Sequence, residues 1–124
     1  MLEDYIRERL REKEILLMAH IVVGYPSIED SFELVRIIVE AGADLMELQI
    51  PFSEPIADGP VILKANQEAL AGGITVQECI DFGDRVARRF DIPFLFMTKE
   101  ERKNMLVIGP GGGKEIITGI YSGN

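Results

Sequence analysis

The most informative part of this sequence is MELQIPFSEPIADGP, residues 46–60. An acidic residue, Glu47, lies inside an apolar segment of strand length. A second acid, Asp58, follows eleven residues later in a segment rich in proline and glycine, which favour turns and loops. Functional groups commonly occupy loops that leave the carboxyl ends of buried strands. The stretch therefore predicts a strand that ends in a functional loop.

The flanking sequence alternates strand and helix patterns. The apolar run at residues 15–23 is typical of a strand covered on both faces, as in parallel sheets. Ser27 with Asp30 predicts a helix start, and Thr75 with Glu78 has the pattern of a capping box. Strands are predicted at residues 15–23, 44–50 and 93–98, and helices at residues 2–13, 27–41, 61–70 and 75–90. This βαβαβ order predicts a parallel α/β fold.

The last 26 residues interrupt this order. Six residues separate Thr98 from Met105, whereas a parallel crossover needs about a dozen. A fourth strand is therefore expected to pair antiparallel with the third, to pair elsewhere, or to join another chain. The segment contains a charged run at 99–104, an apolar strand at 105–108, GPGGG at 109–113 and a predicted short helix at 114–121. We predict a junction near residue 99, with residues 1–98 as one unit and residues 99–124 as an appended strand–loop–helix on the same domain.

Composition excludes several classes of protein. A chain of 124 residues with a net charge of −8 lacks the Lys/Arg density that binds nucleic acid. No apolar run approaches the roughly 20 residues of a membrane span, and no signal-peptide pattern is visible. One cysteine, Cys79, and one histidine, His20, provide neither a disulfide nor metal-ligand spacing. We therefore expect a cytoplasmic protein with no metal or cofactor and no nucleic-acid or membrane partner.

Residues 46–60 resemble the signature of the tryptophan synthase alpha subunit family, a TIM-barrel lyase, and the resemblance extends over about residues 15–98. A complete barrel takes about 250 residues. The resemblance therefore implies an α/β fold with a partial TIM barrel of three βα units. We expect a foreign strand, glycine-rich loop and helix to continue it, in a sheet that is open or completed by another chain.

The family reaction implied by this resemblance is retro-aldol cleavage of indole-3-glycerol phosphate to indole and glyceraldehyde 3-phosphate. The resemblance assigns Glu47 the role of general acid/base. It gives Asp58 a hydrogen bond from the indole N–H. The family partner is the tryptophan synthase beta subunit.

Strand alternation places Glu47 and Gln49 on one face and wholly apolar residues on the other. Because the apolar set would face helices, Glu47 and Gln49 are expected to point into the barrel interior. His20 is expected to share that face, and Phe96 and Thr98 are expected to line the same substrate pocket. The family usually has an aromatic residue in place of His20 and glycine in place of Gln49. A satisfied core histidine and a paired structural acid are the alternative interpretations of His20 and Glu47.

Three functional hypotheses follow from the sequence. The first is a truncated or chimeric piece of a tryptophan synthase alpha subunit with little or no lyase activity. The second is a structural or engineered fold-recombination module that self-associates, because open sheet edges favour pairing between chains. The third is a nucleotide-binding fragment. Its basis is that residues 107–115 weakly resemble the first glycine-rich loop of spermidine-synthase-like S-adenosylmethionine enzymes.

Overall fold

The computed structural model describes residues 2–51, 59–97 and 104–118 of the chain. These residues form four α-helices, five strands and a short 3₁₀ helix at Pro110–Gly112. The helices are α1 (Leu2–Leu10), α2 (Ile28–Glu40), α3 (Pro60–Ala71) and α4 (Val76–Arg89). The strands are β1 (Met18–Val22), β2 (Leu45–Gln49), β3 (Phe94–Met97), β4 (Asn104–Ile108) and β5 (Lys114–Thr118).

All five strands form a single mixed sheet in the order β1-β2-β3-β4-β5. The first three strands are parallel, with His20 of β1 opposite Glu47 of β2 and Glu47 opposite Leu95 of β3. The last two strands are antiparallel to their neighbours. The predicted parallel arrangement of the first three strands is therefore confirmed.

One face of the sheet packs against α2 and α4. Met46 and Leu48 on β2 join Val35 of α2 and Val86 of α4 in the main hydrophobic cluster, where all four are fully buried. This is the face that strand alternation assigned to the helices. The prediction that Glu47 and Gln49 lie on the opposite face from Met46 and Leu48 is confirmed.

The opposite face is covered at its two ends by different helices. Near the amino ends of the strands, Leu2 of α1 packs against Leu45 and Leu95. Near the carboxyl end of β1, Val22 packs against Ala65 and Ala69 of α3. The middle of this face therefore lies between α1 and α3.

Both predicted helix starts are confirmed. The hydroxyl of Ser27 accepts a hydrogen bond from the Asp30 amide at the start of α2. At the start of α4, Thr75 and Glu78 form the reciprocal capping box. These bonds satisfy backbone N–H groups that have no partner inside the helix.

The C-terminal segment, described over residues 104–118 and called the tail below, differs from the sequence prediction in one respect. The fourth strand pairs antiparallel with β3, which is the first of the three expected alternatives. The helix predicted at residues 114–121 is wrong, because Lys114–Thr118 is the strand β5 and pairs with β4. The β-branched residues Ile116 and Ile117 favour the extended conformation, and pairing with β4 satisfies their backbone.

The glycine-rich segment closes the β4–β5 hairpin. The amide of Gly109 donates to the Gly113 carbonyl over 2.7 Å, and the turn uses positive φ angles of 83° at Gly111 and 96° at Gly112. Since Ile108 pairs with Phe94 at the start of β3, this turn lies at the amino end of the parallel strands. A nucleotide-binding loop of the kind considered from the sequence needs a following helix N-terminus, and within residues 104–118 a strand takes that place.

A buried carboxylate, Asp44, connects α1, the segment before β1 and the start of β2. It is fully buried and accepts hydrogen bonds from Arg9 (Nε, 3.1 Å), Lys13 (Nζ, 2.8 Å) and the Leu17 amide (2.8 Å). The hydroxyl of Tyr5 donates to the Asp44 carbonyl over 2.6 Å. Burial opposes ionisation, but the bonds from Lys13, Leu17 and Arg9 outweigh it and hold the Asp44 pKa well below its usual range.

We predict that Asp44 makes the stability of the fold depend on pH. Because its pKa is lowered on folding, its contribution is complete above the unfolded pKa of about 4 and declines as the pH falls below that value. Asp44→Asn should lower the free energy of unfolding at pH 7 by about 2 kcal/mol, since the two cations it leaves can still be hydrated. Urea unfolding between pH 3 and pH 7 measures both effects.

The control for this prediction is Asp4→Asn, which changes an exposed acid on α1. It should leave both the stability at pH 7 and its pH dependence close to those of the unmodified chain. An Asp44→Asn protein with the same pH dependence as the unmodified chain would contradict the assignment.

A second prediction concerns the close approach of α4 to the sheet at Gly83. A Cβ atom at this position would lie 2.7 Å from Cζ of Phe96 and 3.2 Å from Cδ1 of Ile108, and both side chains are buried. Gly83→Ala should therefore destabilise the protein by about 1–3 kcal/mol through overpacking, despite the higher helix propensity of alanine. Gly113→Ala is the matched control in urea unfolding, because its Cβ would meet no atom within 4 Å. Equal or greater stability of Gly83→Ala would rule out this tight packing.

Candidate active site

The candidate site is centred on Glu47 in the middle of β2. His20 lies directly opposite it on β1 in the parallel register, and neighbouring strands are about 4.8 Å apart. Glu47 is partly buried, whereas His20 is exposed. The two side chains share the face of the sheet that lies between α1 and α3, so they form an accessible pair of titratable groups.

Gln49 connects this pair to α3. Its Oε1 lies 2.8 Å from Nε2 of His20, and its Nε2 donates to Oδ1 of Asn66 over 3.1 Å. Nδ2 of Asn66 in turn donates to the Ile62 carbonyl one turn earlier in α3, over 2.8 Å. The structure therefore brings together Glu47, His20 and Gln49, as the sequence predicted.

Sequence reasoning missed Asn66. This residue is fully buried, and a buried amide is stable only when its polar atoms have hydrogen-bond partners. The signal that could have found it is an asparagine beside Ala65 and Ala69 on the small-residue face of the helix that follows the signature loop. A polar residue on a packing face indicates a specific partner.

Phe96 does not reach this surface. It packs in the cluster between the sheet and α4, with Gly83 beside its ring. Leu95 is the residue of β3 that pairs with Glu47, and it is buried with residues of α1. The expectation that Phe96 lines the pocket is therefore corrected, because alternation along β3 turns its side chain to the helical layer. Asp58 and Thr98, the other two predicted site residues, lie outside the described residues.

The lone cysteine takes no part in this surface. Cys79 is fully buried in the main cluster with α2 and α4. Burial, with a smaller effect of the Glu78 charge, raises the pKa of its thiol to about 12. The thiolate that would act as a nucleophile is therefore scarce at neutral pH.

The described part of the chain contains no group of three or more His, Cys, Asp or Glu side chains arranged to hold a metal ion. In the same ranges, every helix is too short or too polar to cross a membrane.

The chemistry that the side chains of the candidate site can provide is proton transfer and hydrogen bonding. Glu47 can exchange a proton with a ligand, and His20 can donate or accept a hydrogen bond beside it.

Comparison with known proteins relates this arrangement to one family. A family model described as the tryptophan synthase alpha chain matches residues 6–102. The alpha chain of Syntrophotalea carbinolica is 71% identical over 98 residues, and that of Desulforapulum autotrophicum is 68% identical over 98 residues. In both cases the match covers 79% of this chain but 39% of the relative. The chain thus spans about two fifths of the length of these curated relatives.

Solved structures agree with the sequence matches. A structure from Aquifex aeolicus VF5 is 37% identical, with a TM-score of 0.73, and the match covers 79% of this chain and 39% of that one. Tryptophan synthase subunit alpha from Legionella pneumophila is 34% identical, with a TM-score of 0.67, and the match covers 73% and 35%. Together with the family model, these matches show that the chain belongs to the tryptophan synthase alpha chain family.

Proposed function

We propose that the chain carries the acid/base part of an indole-3-glycerol phosphate lyase site, with Glu47 as the general acid/base. The observation that supports this proposal is the position of Glu47, partly buried on β2 between α1 and α3. In the retro-aldol cleavage, carbon C3 of the indole ring gains a proton and the hydroxyl beside the bond that breaks loses one. The electron pair of the broken C–C bond returns to the ring as the hydroxyl oxygen becomes the aldehyde oxygen. A carboxylate that is shielded from bulk water but open to a ligand suits this step.

Asp58 completes the proposal by family resemblance. Its carboxylate would accept a hydrogen bond from the indole N–H as positive charge develops on the ring. No cofactor enters this scheme, because proton transfer and hydrogen bonding are sufficient for the bond cleavage.

We propose further that a polypeptide of these 124 residues has little or no turnover. TIM barrels commonly grip a substrate phosphate with loops after the seventh and eighth strands, and the match ends near residue 102 of this chain, at two fifths of its relatives' length. Without that grip the substrate is poorly positioned, and positioning supplies a large part of an enzyme's rate enhancement.

The activity test compares indole release by three proteins: the chain, Glu47→Gln and Glu14→Gln. Glu14 is an exposed acid outside the site, so its variant controls for the chemical change. Any release by the chain should fall by about 100-fold or more in Glu47→Gln, the range expected for loss of general acid/base catalysis. It should be unchanged in Glu14→Gln. Equal release from the chain and Glu47→Gln would contradict the role of Glu47.

A graft into a longer relative distinguishes a defective acid/base site from the loss of the phosphate-binding loops. Residues 1–98 of this chain would replace the matching segment of the Syntrophotalea carbinolica alpha chain, to which they are 71% identical. If the acid/base site is competent, the graft should release indole, and Glu47→Gln in the graft should abolish it. A folded graft without activity would reject the proposal.

Self-association is a second candidate, favoured by exposed apolar side chains near both edges of the sheet. Before and within β1, Ile15 is 79% exposed and Met18 is 53% exposed, while Ile116 on β5 is 68% exposed. Edge strands with unpaired backbone groups and apolar side chains favour pairing with another chain. The family partner is the beta subunit, but for these 124 residues we propose a homo-oligomer.

Sedimentation at micromolar concentration tests the homo-oligomer. The expected species is larger than the 13.9 kDa of one chain, and a double change of Ile15→Lys with Ile116→Lys should shift it towards the monomer. A purely monomeric distribution for the unmodified chain would contradict self-association.

A further inference from the structure

We propose that His20 is a directional hydrogen-bond acceptor for a hydroxyl group of the substrate's glycerol chain, and that Gln49 and Asn66 are the positioning residues that orient it. This inference rests on the proposed function. It adds a ligand-binding role for His20 and a reason for the Gln49–Asn66 pair.

The donor and acceptor of each hydrogen bond in this series follow from the backbone carbonyl of Ile62. The Ile62 carbonyl can only accept, so the atom of Asn66 that lies 2.8 Å from it is the NH₂ group. Oδ1 of Asn66 is therefore the atom that meets Gln49, and Gln49 must donate to it through Nε2. The burial of Asn66 holds this amide in one orientation.

The same reasoning determines which ring nitrogen of His20 carries the proton in the neutral imidazole. Since Nε2 of Gln49 is engaged with Asn66, Oε1 of Gln49 is the atom that lies 2.8 Å from Nε2 of His20. An amide oxygen only accepts, so Nε2 of the imidazole carries the proton. In the neutral ring, Nδ1 then has the lone pair, and among the described residues no group donates a hydrogen bond to it.

The position of His20 selects the group that it would bind. It lies in register with Glu47 on the adjacent strand and is exposed. In the proposed function, Glu47 takes its proton from a hydroxyl of the glycerol chain. The hydroxyl bound at Glu47, or the adjacent hydroxyl of the substrate's glycerol chain, is therefore within reach of the Nδ1 lone pair. A hydroxyl is a suitable hydrogen-bond donor to this nitrogen.

The role of the positioning residues has a spectroscopic test. His20 is the only histidine of the chain, so the imidazole ¹⁵N signals of the labelled protein come from one residue. In the neutral form the unmodified chain should show the Nε2–H tautomer alone. Gln49→Leu should introduce the Nδ1–H tautomer, and Asn66→Leu should do the same because it releases the Gln49 amide.

A matched variant separates hydrogen-bond direction from folding. Asn66→Asp keeps an acceptor for Nε2 of Gln49 but loses the bond to Ile62, so the Nε2–H tautomer should remain. If Asn66→Leu does not fold, Gln49→Leu carries the test, because Gln49 is only partly buried. An unchanged tautomer in Gln49→Leu would overturn the positioning role.

The binding test compares indole-3-glycerol phosphate with indole-3-propanol phosphate, which lacks the two inner hydroxyls. Both are titrated into Glu47→Gln protein, which should not consume the substrate. The glycerol compound should bind about fivefold more tightly through the His20 bond, the ratio typical of one hydrogen bond. It should also shift the Nδ1 signal, and His20→Phe in the same background should remove the preference.

The outcomes of this titration are distinct from those of the activity assay. An equal preference in His20→Phe, or equal affinities for the two compounds in the Glu47→Gln protein, would overturn the acceptor role. A preference that depends on His20, together with indole release that does not depend on Glu47, would support the acceptor while rejecting the lyase proposal.

Discussion

The buried carboxylate of Asp44 is the interaction on which the rest of the structure depends. It stands at the start of β2 and accepts hydrogen bonds from two cations of the N-terminal segment and from the amide of Leu17. These bonds hold α1 against the amino ends of the strands and fix the position of Leu17, the residue before β1. Because Asp44 fixes Leu17 beside it, His20 lies opposite Glu47 three residues further along each chain segment.

This arrangement leaves a site between two covered regions. α1 shields the face of the sheet near Leu45, and α3 shields it near Val22. Glu47 is consequently only partly buried, and His20 remains open to a ligand. The connection from Gln49 to the buried Asn66 makes α3 part of the site.

Much of the fold could be predicted from sequence because the decisive signals were local. The apolar runs of β1 and β2, the Ser27 cap and the Thr75–Glu78 capping box each depend on neighbouring residues. The place of Phe96 was harder to predict, because it depends on how β3 turns relative to β2. Asn66 was missed because its partner Gln49 is 17 residues away.

The tail shows the same limit. The short connection excluded a parallel fourth strand and left antiparallel pairing as one of three alternatives, while the strand β5 was predicted as a helix. Lys114–Thr118 becomes a strand because β4 offers it an edge, and that tertiary pairing is absent from a local pattern. The predicted boundary near residue 99 remains a prediction.

Because β4 runs antiparallel to β3, the β4–β5 hairpin turn lies at the end of the sheet opposite to the carboxyl ends of the parallel strands. The turn at Gly111 and Gly112 lies at the amino end of the parallel strands, while Gln49 and Val22 mark their carboxyl ends. A strand of five residues is about 16 Å long, so the two ends are remote from each other. The hairpin turn is consequently a suitable attachment point for a fluorophore or an inserted peptide, which would report on the protein without entering its ligand surface.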